Sequence, residues 1–443
     1  MEPAGAAGET GAVPWIYLAL SLWAALFTLA AVLPVRSNRV LFLPAFFASW
    51  LAIELAPHHL VIQVVATLVF ARLGAFDAWP GYVGLAVSLV SWGVLVTIVL
   101  QGRQSAVTLR EALADLAASG PAPRVPMRSK LFPFFLGRRG VRVRRNIEFA
   151  RVAGRRLRLD VYQPKAAGER RPAILQIHGG AWVLGDKREQ GIPLLQHLAA
   201  NGWVGFNANY RLSPGATFPD HLVDLKRALA WIREHGAEYG ADPDFVCVTG
   251  GSAGGHLTAL VGLTANDPRY QPGFEHVDTS VRAAVPFYGV YDFTNRLGTW
   301  APEVFRTLWE PHVIKAFIAE EPERFAEASP IDRVRADAPP FLVIHGDRDT
   351  LAPVEDAREF VERLRAVSHQ PVLYAELHGS QHAFDVFPSV RTAHAIEAVE
   401  RFLRAVHDDE LPADEGAAED EVAERTSTDP SAPGPQEQAA GAR

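Results

Sequence analysis

Two long apolar segments without a charged residue constrain this chain more than any other feature. Residues 15–33 and residues 82–100 each comprise 19 residues, and a helix of that length, rising about 1.5 Å per residue, can cross a bilayer core of about 30 Å. Shorter apolar segments at 40–56 and 59–73 adjoin the Pro-His-His sequence between them. The pattern predicts an all-α transmembrane region of about four spans over residues 1–102.

A signal peptide followed by soluble core helices is the alternative interpretation of this region. Signal peptides begin with basic residues and have a short apolar core, whereas this chain begins with the acidic sequence MEPAGAAGET and its apolar pattern recurs. Residues 101–158 contain 14 Arg and Lys residues against three acids, a bias typical of the cytoplasmic side. Arg36 and Arg39 favour the opposite orientation of four spans. We therefore expect a multi-pass cell-membrane protein whose larger, C-terminal part is cytoplasmic.

Three further regions follow the apolar one. Residues 103–145 form a basic connector with an amphipathic helical pattern that fits either the bilayer surface or a solvated linker helix. Residues 146–406 have the composition of a globular unit, and its single cysteine, Cys247, is predicted to be a buried, inert thiol. Residues 407–443 are acidic, lack aromatics and are expected to be disordered. The net charge of −7 gives no indication of a nucleic-acid partner.

Short β-type segments alternate with helical ones in the globular unit. Near-continuous apolar strands separated by helices are typical of a mostly parallel sheet covered on both faces. An antiparallel hairpin over 146–164 precedes this alternation, and functional residues of such sheets lie where strands end. The predicted strands are 173–180, 203–210, 245–251, 282–289, 340–347 and 371–379, and the helical candidates include 220–236, 254–265, 354–367 and 389–405.

A serine lies between glycines where one predicted strand meets a helix. The sequence Gly250-Gly251-Ser252-Ala253-Gly254 matches G-x-S-x-G in the strand–turn–helix context that a nucleophile elbow requires. Residues without bulk allow the strand and the helix to approach, and the helix N-terminus favours a neighbouring oxyanion. Ser252 is therefore a candidate nucleophile; a glycine-rich turn without chemistry is the alternative.

A serine nucleophile needs a base and a group that orients the base. The order serine, acid, histidine along the chain predicts the acid after strand 340–347 and the histidine after strand 371–379. Asp349 is preferred to Asp347, which is close enough to the strand to cap the turn, and His382 is preferred to His378 at the strand end. The predicted triad is Ser252, Asp349 and His382.

The sequence IHGGAWVLGD follows the strand at 173–180 and lacks side-chain bulk. Acyl transfer develops negative charge on a carbonyl oxygen, which preorganised backbone amides stabilise. We assign this role to the amides of Gly180, Ala181 and Ala253, with Gly179 forming the turn, and we expect Trp182 to lie beneath an acyl pocket.

Residues 294–330 interrupt the strand pattern with helical periodicity and several aromatics. Placed over the site they would form an apolar cap, with Trp300, Phe305 and Trp309 as candidate substrate contacts. Ordinary helices packed on the surface are the alternative.

Residues 146–405 resemble the α/β-hydrolase family, in its hormone-sensitive-lipase-like carboxylesterase branch. The resemblance implies an α/β-hydrolase fold, the Ser252–Asp349–His382 triad and an oxyanion hole at the glycine turn, where many members have a third glycine in place of Ala181. Multi-span bacterial esterases of this branch look similar over the whole length. The motifs that carry the resemblance, in family order, are HGGAW, YRLSP, GGSAGGHL, GDRDTLAP and QHAF.

These features predict a membrane-anchored serine carboxylesterase or lipase that hydrolyses short- to medium-chain acyl or lipid esters. Its partners would be a small-molecule or lipid ester and the bilayer, with no cofactor, no metal and no nucleic acid, and the sequence gives no oligomeric state. An arylformamidase, amidase or peptidase of the same fold is the alternative among hydrolases. A non-catalytic binding protein of this fold is the alternative from another class, which a missing triad residue would indicate.

Overall fold

The N-terminal part of the structure, a computed structural model, consists of four helices. Two of them, α1 and α4, are long and apolar enough to cross a membrane, while α2 and α3 are joined by a bend of 88° and could form one further, broken span. These four helices are α1 Ala12–Val32, α2 Phe42–Glu54, α3 Ala56–Arg72 and α4 Trp79–Ala112. The structure describes residues 11–33, 35, 41–114, 116, 124–132, 137, 139–166 and 168–411.

By length and composition, two of the described helices could be spans, or three with the bent pair, where the sequence predicts about four. Helix α2 has 13 residues and α3 has 17, so at about 1.5 Å per residue they measure roughly 20 and 25 Å, less than a bilayer core. The two helices are apolar enough for a span only when taken together, and the bend of 88° separates them into two short helices.

Polar side chains between the helices hold α1 against α3 and α4. The Tyr17 hydroxyl lies 3.0 Å from Thr67 Oγ1 and 3.3 Å from Ser88 Oγ, and Thr28 contacts Ser91 at 3.2 Å. Small hydroxyl side chains allow helices to approach closely and to form hydrogen bonds where water is absent. The three helices therefore pack as a bundle.

Helix α4 differs from the prediction of a span followed by a separate connector. It continues without interruption for 34 residues, and Leu109 near its end is buried in the core of the following unit, as are Leu113 and Leu116 just after it. The amphipathic segment therefore lies neither on a bilayer surface nor in solvent, because its leucines are buried against the sheet and its helices. The short helix α5, Met127–Leu131, follows.

The unit after α5 is built on a twisted sheet of eight strands in the order β1-β2-β4-β3-β5-β6-β7-β8. The hairpin β1–β2 and the pair β2–β4 are antiparallel, and the remaining neighbours are parallel. The sequence prediction of an entry hairpin and a mostly parallel sheet is confirmed. The strands are β1 Val141–Val152, β2 Arg155–Pro164, β3 Arg171–Ile177, β4 Val204–Ala208, β5 Ala241–Gly251, β6 Ala284–Phe287, β7 Phe341–Gly346 and β8 Val372–Leu377.

Helices cover both faces of this sheet. Alternate residues of one strand point to opposite faces, so Leu175 belongs to the core under α7, α8 and α11, and Ile174 to the core under α6, α12 and the end of α4. These helices and the two that precede α11 are α6 Ile192–Ala200, α7 Asp220–His235, α8 Ala253–Leu263, α9 Pro302–Val304, α10 Pro322–Ala328, α11 Val354–Arg365 and α12 Val390–His407. A π-helical segment, Phe305–Ile314, continues α9, and 3₁₀ turns lie at Ala75–Asp77, Gly236–Tyr239, Pro268–Tyr270 and Pro330–Asp332.

Strand register brings the predicted functional loops together at one edge. Ile177 at the end of β3 pairs with Gly250 of β5, which places the glycine turn beside the serine elbow. Gly346 of β7 pairs with Leu377 of β8, which places the loops bearing Asp349 and His382 side by side. Of the tail expected to be disordered, residues 407–443, the part from 412 onward lies outside the described residues, whereas His407 is the last residue of α12 and Leu411 packs against the core.

Candidate active site

A cavity of about 740 Å³ opens at the carboxyl edge of the sheet. Most of the residues predicted for the site border it, and they come from the segments after five different strands. Gly179, Ala253 and Phe305 are predicted site residues that do not line it. Those that do are Gly180, Ala181, Trp182, Ser252, Trp300, Trp309, Asp349 and His382.

Ser252 occupies a sharp turn between β5 and α8. Its backbone has φ 60° and ψ −124°, a conformation that costs an L-residue of order 1–3 kcal/mol. A Cβ on Gly251 would lie 2.5 Å from the Tyr288 hydroxyl, and one on Gly254 would lie 2.2 Å from the Ile177 carbonyl oxygen. Glycine is therefore required on both sides, as the sequence pattern predicts, and the turn carries the Ser252 side chain to the cavity.

Asp349 and His382 form a buried hydrogen-bonded pair. His382 Nδ1 donates to Asp349 Oδ2 at 2.6 Å, while the amides of Leu351 and Ala352 donate to Oδ1 at 2.8 Å each. Burial by itself would raise the pKa of Asp349, but His382 and His345, whose Nε2 lies 3.3 Å away, hold this pKa well below its ordinary value. The carboxylate therefore stays ionised and orients the imidazole.

Asp347 and His378, the alternatives to this pair, also contact each other, but they do so at the surface. His378 Nδ1 donates to Asp347 Oδ2 at 2.6 Å, and the Gly379 amide donates to Asp347 Oδ1 at 2.7 Å. The His378 side chain is 58% exposed, and neither residue lines the cavity. Asp347 thus caps the end of β8.

The glycine turn after β3 offers backbone amides to the cavity. The Gly179 amide donates to Gln190 Oε1 at 2.7 Å, so this residue shapes the turn. Among the described residues, none accepts a hydrogen bond from the amides of Gly180 and Ala181, which both have positive φ. The Ala253 amide opens α8, where first-turn amides have no partner within the helix.

Trp182 is fixed beneath the cavity by a buried chain of hydrogen bonds. Its Nε1 donates to His256 Nδ1 at 3.1 Å, and His256 Nε2 donates to the Ala328 carbonyl oxygen at 2.7 Å. Burial lowers the pKa of His256 to about 3, so the imidazole is neutral and has one tautomer. The indole is therefore held in one orientation, with its ring packed 5.1 Å from that of Phe293.

The segment predicted as a cap supplies a wall of the cavity. Trp300 and Trp309 line it, whereas Phe305 packs edge-on behind Trp309 at 4.8 Å between ring centroids. The prediction that Phe305 contacts substrate is therefore replaced by a supporting role behind Trp309, because the π-helical turn directs the Phe305 ring into the protein core. Trp300 Nε1 donates to Asp356 Oδ2 at 2.6 Å, and burial raises the pKa of Asp356 to about 6.

Sequence reasoning missed the remaining wall, which comes from α2. Five residues on one face of α2 line the cavity, although the sequence presents them as part of a bilayer span. The charge of Glu54, at the end of this apolar segment, was a signal that α2 contacts protein. The lining residues are Phe42, Leu43, Phe46, Phe47 and Trp50.

Gln381 was also missed, because its role depends on the pairing of two loops. Its side-chain Oε1 accepts hydrogen bonds from the Thr350 amide at 2.8 Å and from the His382 amide at 2.9 Å. It thereby ties the loop of Asp349 to the loop of His382. Within the described residues, no group of three or more His, Cys, Asp or Glu side chains is arranged to hold a metal ion.

The chain is similar in sequence to a described family and to proteins named as ester hydrolases. Residues 159–364 match the family described as BD-FAE. The chain is 55% identical over 236 residues to the probable carboxylic ester hydrolase LipM of Mycobacterium tuberculosis, covering 53% of this chain and 54% of LipM. It is 44% identical over 266 residues to the esterase LipQ of the same organism, covering 60% of this chain and 63% of LipQ. The chain therefore spans less than two thirds of the length of these curated relatives.

Solved structures show the same architecture. A butyrate-bound form of the esterase Est2 from Thermogutta terrifontis superposes with a TM-score of 0.52 at 25% identity, over 62% of this chain and 96% of Est2. A truncated carbohydrate esterase from gut microbiota superposes with a TM-score of 0.51 at 26% identity, over 59% of this chain and 96% of that chain. The chain therefore has an α/β-hydrolase fold, its residues 159–364 are similar to the BD-FAE family, and the relatives reported above are named as an esterase and a probable carboxylic ester hydrolase.

Proposed function

We propose that this protein is a membrane-anchored serine carboxylesterase that hydrolyses acyl or lipid esters through an acyl-enzyme. One observation carries the proposal: Ser252, on its strained turn, lines the same cavity as the Asp349–His382 pair. The names of the relatives, an esterase and a probable carboxylic ester hydrolase, support the same reaction.

Ser252 Oγ attacks the ester carbonyl carbon while His382 Nε2 takes its proton. Asp349 holds the Nδ1–H tautomer and stabilises the imidazolium that forms. The tetrahedral intermediate collapses, the alcohol leaves with the proton from His382, and the acyl group stays on Ser252. Water, activated by the same imidazole, then releases the carboxylic acid.

The oxyanion of each intermediate lies among the amides of Gly180, Ala181 and Ala253. A preorganised donor of this kind typically contributes about 3 kcal/mol to transition-state stabilisation. Ala181 replaces a glycine found in many relatives of this branch, but its amide donates equally well. The hydrogen bond from Gly179 to Gln190 keeps the turn open toward the reacting carbon.

An apolar acyl group fits the rest of the cavity. Its walls are largely aromatic, formed by Trp182, Trp300 and Trp309 on one side and by the face of α2 on the other. Such walls bind hydrocarbon and exclude water from the acyl-enzyme. A short- to medium-chain acyl group is therefore the proposed specificity.

Helices α1 and α4 anchor the enzyme in a lipid bilayer, since both have the length and composition of membrane spans. The excess of basic residues over 101–158 favours a cytoplasmic catalytic domain, which is the orientation we propose. Protease treatment of sealed inside-out and right-side-out vesicles tests this orientation, and cleavage of the domain in right-side-out vesicles would overturn it.

The test of catalysis is hydrolysis of p-nitrophenyl butyrate by the full-length protein in detergent. Ser252→Ala is expected to lower kcat by at least about 10⁴-fold, because a triad without its nucleophile keeps only the contribution of the oxyanion hole. Ser368→Ala, a matched substitution after α11 and outside the cavity, is expected to keep full activity. Unchanged turnover in Ser252→Ala would refute the proposal, and selective turnover of anilides would favour an amidase.

A further inference from the structure

We infer that α2 is the acyl-binding wall of the active site and that the substrate is a lipid ester that reaches Ser252 from the apolar layer of the bilayer beside α2. This inference rests on the proposed esterase activity and names the substrate class of the same site. It follows from where α2 lies, how it is held and what its exposed side chains offer.

The cavity-lining residues of α2 lie on one face of the helix. Phe42, Phe46 and Trp50 are spaced by four residues, as are Leu43 and Phe47, so all five project to the same side. Phe46 and Trp50 stack with an interplanar angle of 8°. The cavity therefore has an aromatic wall from a helix that precedes the catalytic domain by almost a hundred residues.

Direct contacts attach α2 to the loop that bears His382. Trp50 Nε1 donates to the carbonyl oxygen of Ala383, the residue that follows His382, at 2.9 Å. Gln381 Nε2 donates to Ser49 Oγ at 3.4 Å, and the Trp50 ring lies 4.9 Å from that of Phe387. The α2 wall is thus attached to the same loop that carries the proposed catalytic base, His382.

A buried ion pair fixes the end of α2 at the bend. Arg391 Nη1 donates to Glu54 Oε1 at 2.7 Å and Ser389 Oγ donates to Oε2 at 2.7 Å, and the side chains of Glu54 and Arg391 are at most 2% exposed. A charge within an apolar segment is costly unless it is paired. The pair therefore docks α2 on the domain, which accounts for the short helix and the 88° bend.

The rim of the cavity is apolar on its outer side as well. Leu43 is 54% and Phe47 is 47% exposed although both line the cavity, and neighbouring Leu41 is 54% exposed. Helices α1, α3 and α4 carry further exposed apolar side chains, such as Leu68 at 62%. A water-soluble ester needs no such surface, whereas an acyl chain that enters beside α2 would contact mainly apolar side chains on its way to Ser252.

The test uses the full-length protein in phosphatidylcholine nanodiscs with two substrates. One is a fluorogenic decanoyl glycerolipid placed in the bilayer, and the other is p-nitrophenyl acetate in water. Leu43→Trp narrows the mouth beside α2, and Leu68→Trp is the matched control because it places the same bulk on an exposed apolar helix position away from the cavity. We expect Leu43→Trp to lower the ratio of lipid-ester to acetate kcat/KM at least tenfold, and Leu68→Trp to change it less than twofold.

A third arm presents the same decanoyl ester from water, below its aggregation concentration, to protein in detergent. Faster turnover from the bilayer than from water supports entry beside α2, whereas equal turnover overturns it. A ratio unchanged by Leu43→Trp, or lowered as much by Leu68→Trp, also overturns it. Each of these outcomes would leave acetate hydrolysis intact and would refute only the inference about α2. Absence of acetate hydrolysis by the wild-type protein would instead refute the proposed esterase activity. Equal melting temperatures of the two variants exclude misfolding as the cause.

Discussion

The two ends of the cavity are built by different kinds of contact. At the polar end, directional hydrogen bonds fix the Asp349 carboxylate, the His382 imidazole and the Gly179 turn. At the apolar end, packed aromatic rings of α2 and of the segment around Trp300 and Trp309 form the walls, and a few polar contacts at their margins hold them in place. Hydrogen-bond geometry tolerates little displacement, whereas packed rings allow exchange of similar volumes. The sheet loops thus set the proposed chemistry, and the added helices set the choice of substrate.

Replacing the orienting acid gives the largest effect and tests the polar end. Asp349→Asn keeps the volume but offers the imidazole an amide, so His382 can take the wrong tautomer. We expect kcat for p-nitrophenyl butyrate to fall by roughly 10³- to 10⁴-fold with little change in melting temperature. Steady-state kinetics and a thermal melt in the same detergent measure both.

Asp347→Asn is the matched control, since it alters the other Asp–His pair, which lies at the surface. We expect its activity to stay within threefold of the unsubstituted protein. Equal losses in the two variants would contradict the distinction between a catalytic and a capping aspartate.

Breaking the ion pair at the bend tests whether the apolar wall depends on one polar anchor. Glu54→Ala leaves Arg391 buried without a counter-charge, which costs about 3–5 kcal/mol. At roughly 2–4 °C per kcal/mol for a domain of this size, we expect the melting temperature to fall by roughly 6–20 °C. Differential scanning fluorimetry in one detergent at fixed pH is the measurement.

Glu362→Ala, on the exposed face of α11, is expected to change stability by less than about 0.5 kcal/mol. Glu54→Leu combined with Arg391→Met removes both charges and should restore most of the lost stability. A double variant as unstable as Glu54→Ala would show that packing at the bend, and not the charge pair, holds α2.

The smallest effect concerns Asp356, which accepts hydrogen bonds from Trp300 and Thr299 in the apolar wall. Its pKa is about 6 in the folded protein because burial disfavours the charged form, against 3.8 ordinarily. The folded state therefore binds this proton more tightly, and the resulting stabilisation, complete below about pH 4, is lost as pH rises through about 6. The shift corresponds to about 3 kcal/mol at most.

Asp356→Asn has no proton to lose and retains an acceptor for Trp300. We expect the melting temperature of the variant, relative to the unsubstituted protein, to rise between pH 4.5 and pH 7. A difference that stays constant over this range would contradict a raised pKa at this carboxyl.

Local patterns in the sequence predict the polar end well. The glycines around Ser252 and the strand-end positions of Asp349 and His382 follow from strand–turn–helix geometry, and the predicted strands lie close to the observed ones. The choice of Asp349 and His382 stays a prediction until tested. These features are readable because each is encoded within a few residues.

The apolar end of the cavity cannot be predicted from local sequence patterns in this way. Hydropathy describes how apolar α2 is, but not whether lipid or protein surrounds it, so Phe46 and Trp50 were assigned to a bilayer span. For the same reason, hydropathy does not predict that the end of α4 and the residues just after it, Leu109 and Leu113, are buried in the core of the following unit. Both cases depend on contacts between residues hundreds of positions apart, such as Glu54 and Arg391.

The unbroken course of α4 has a mechanical consequence. A flexible tether would let a soluble domain tumble near the surface, whereas a rod of roughly 50 Å, with one end in the bundle and the other in the domain's interior, fixes its tilt. With α1 and α4 in the bilayer as proposed, the opening above Ser252 would keep a constant distance from the membrane plane and a constant direction relative to it. Inserting a single alanine near residue 102 would rotate the part of α4 after the insertion by about 100° relative to the part before it. The opening would then face a different direction, although the reacting groups would be unchanged.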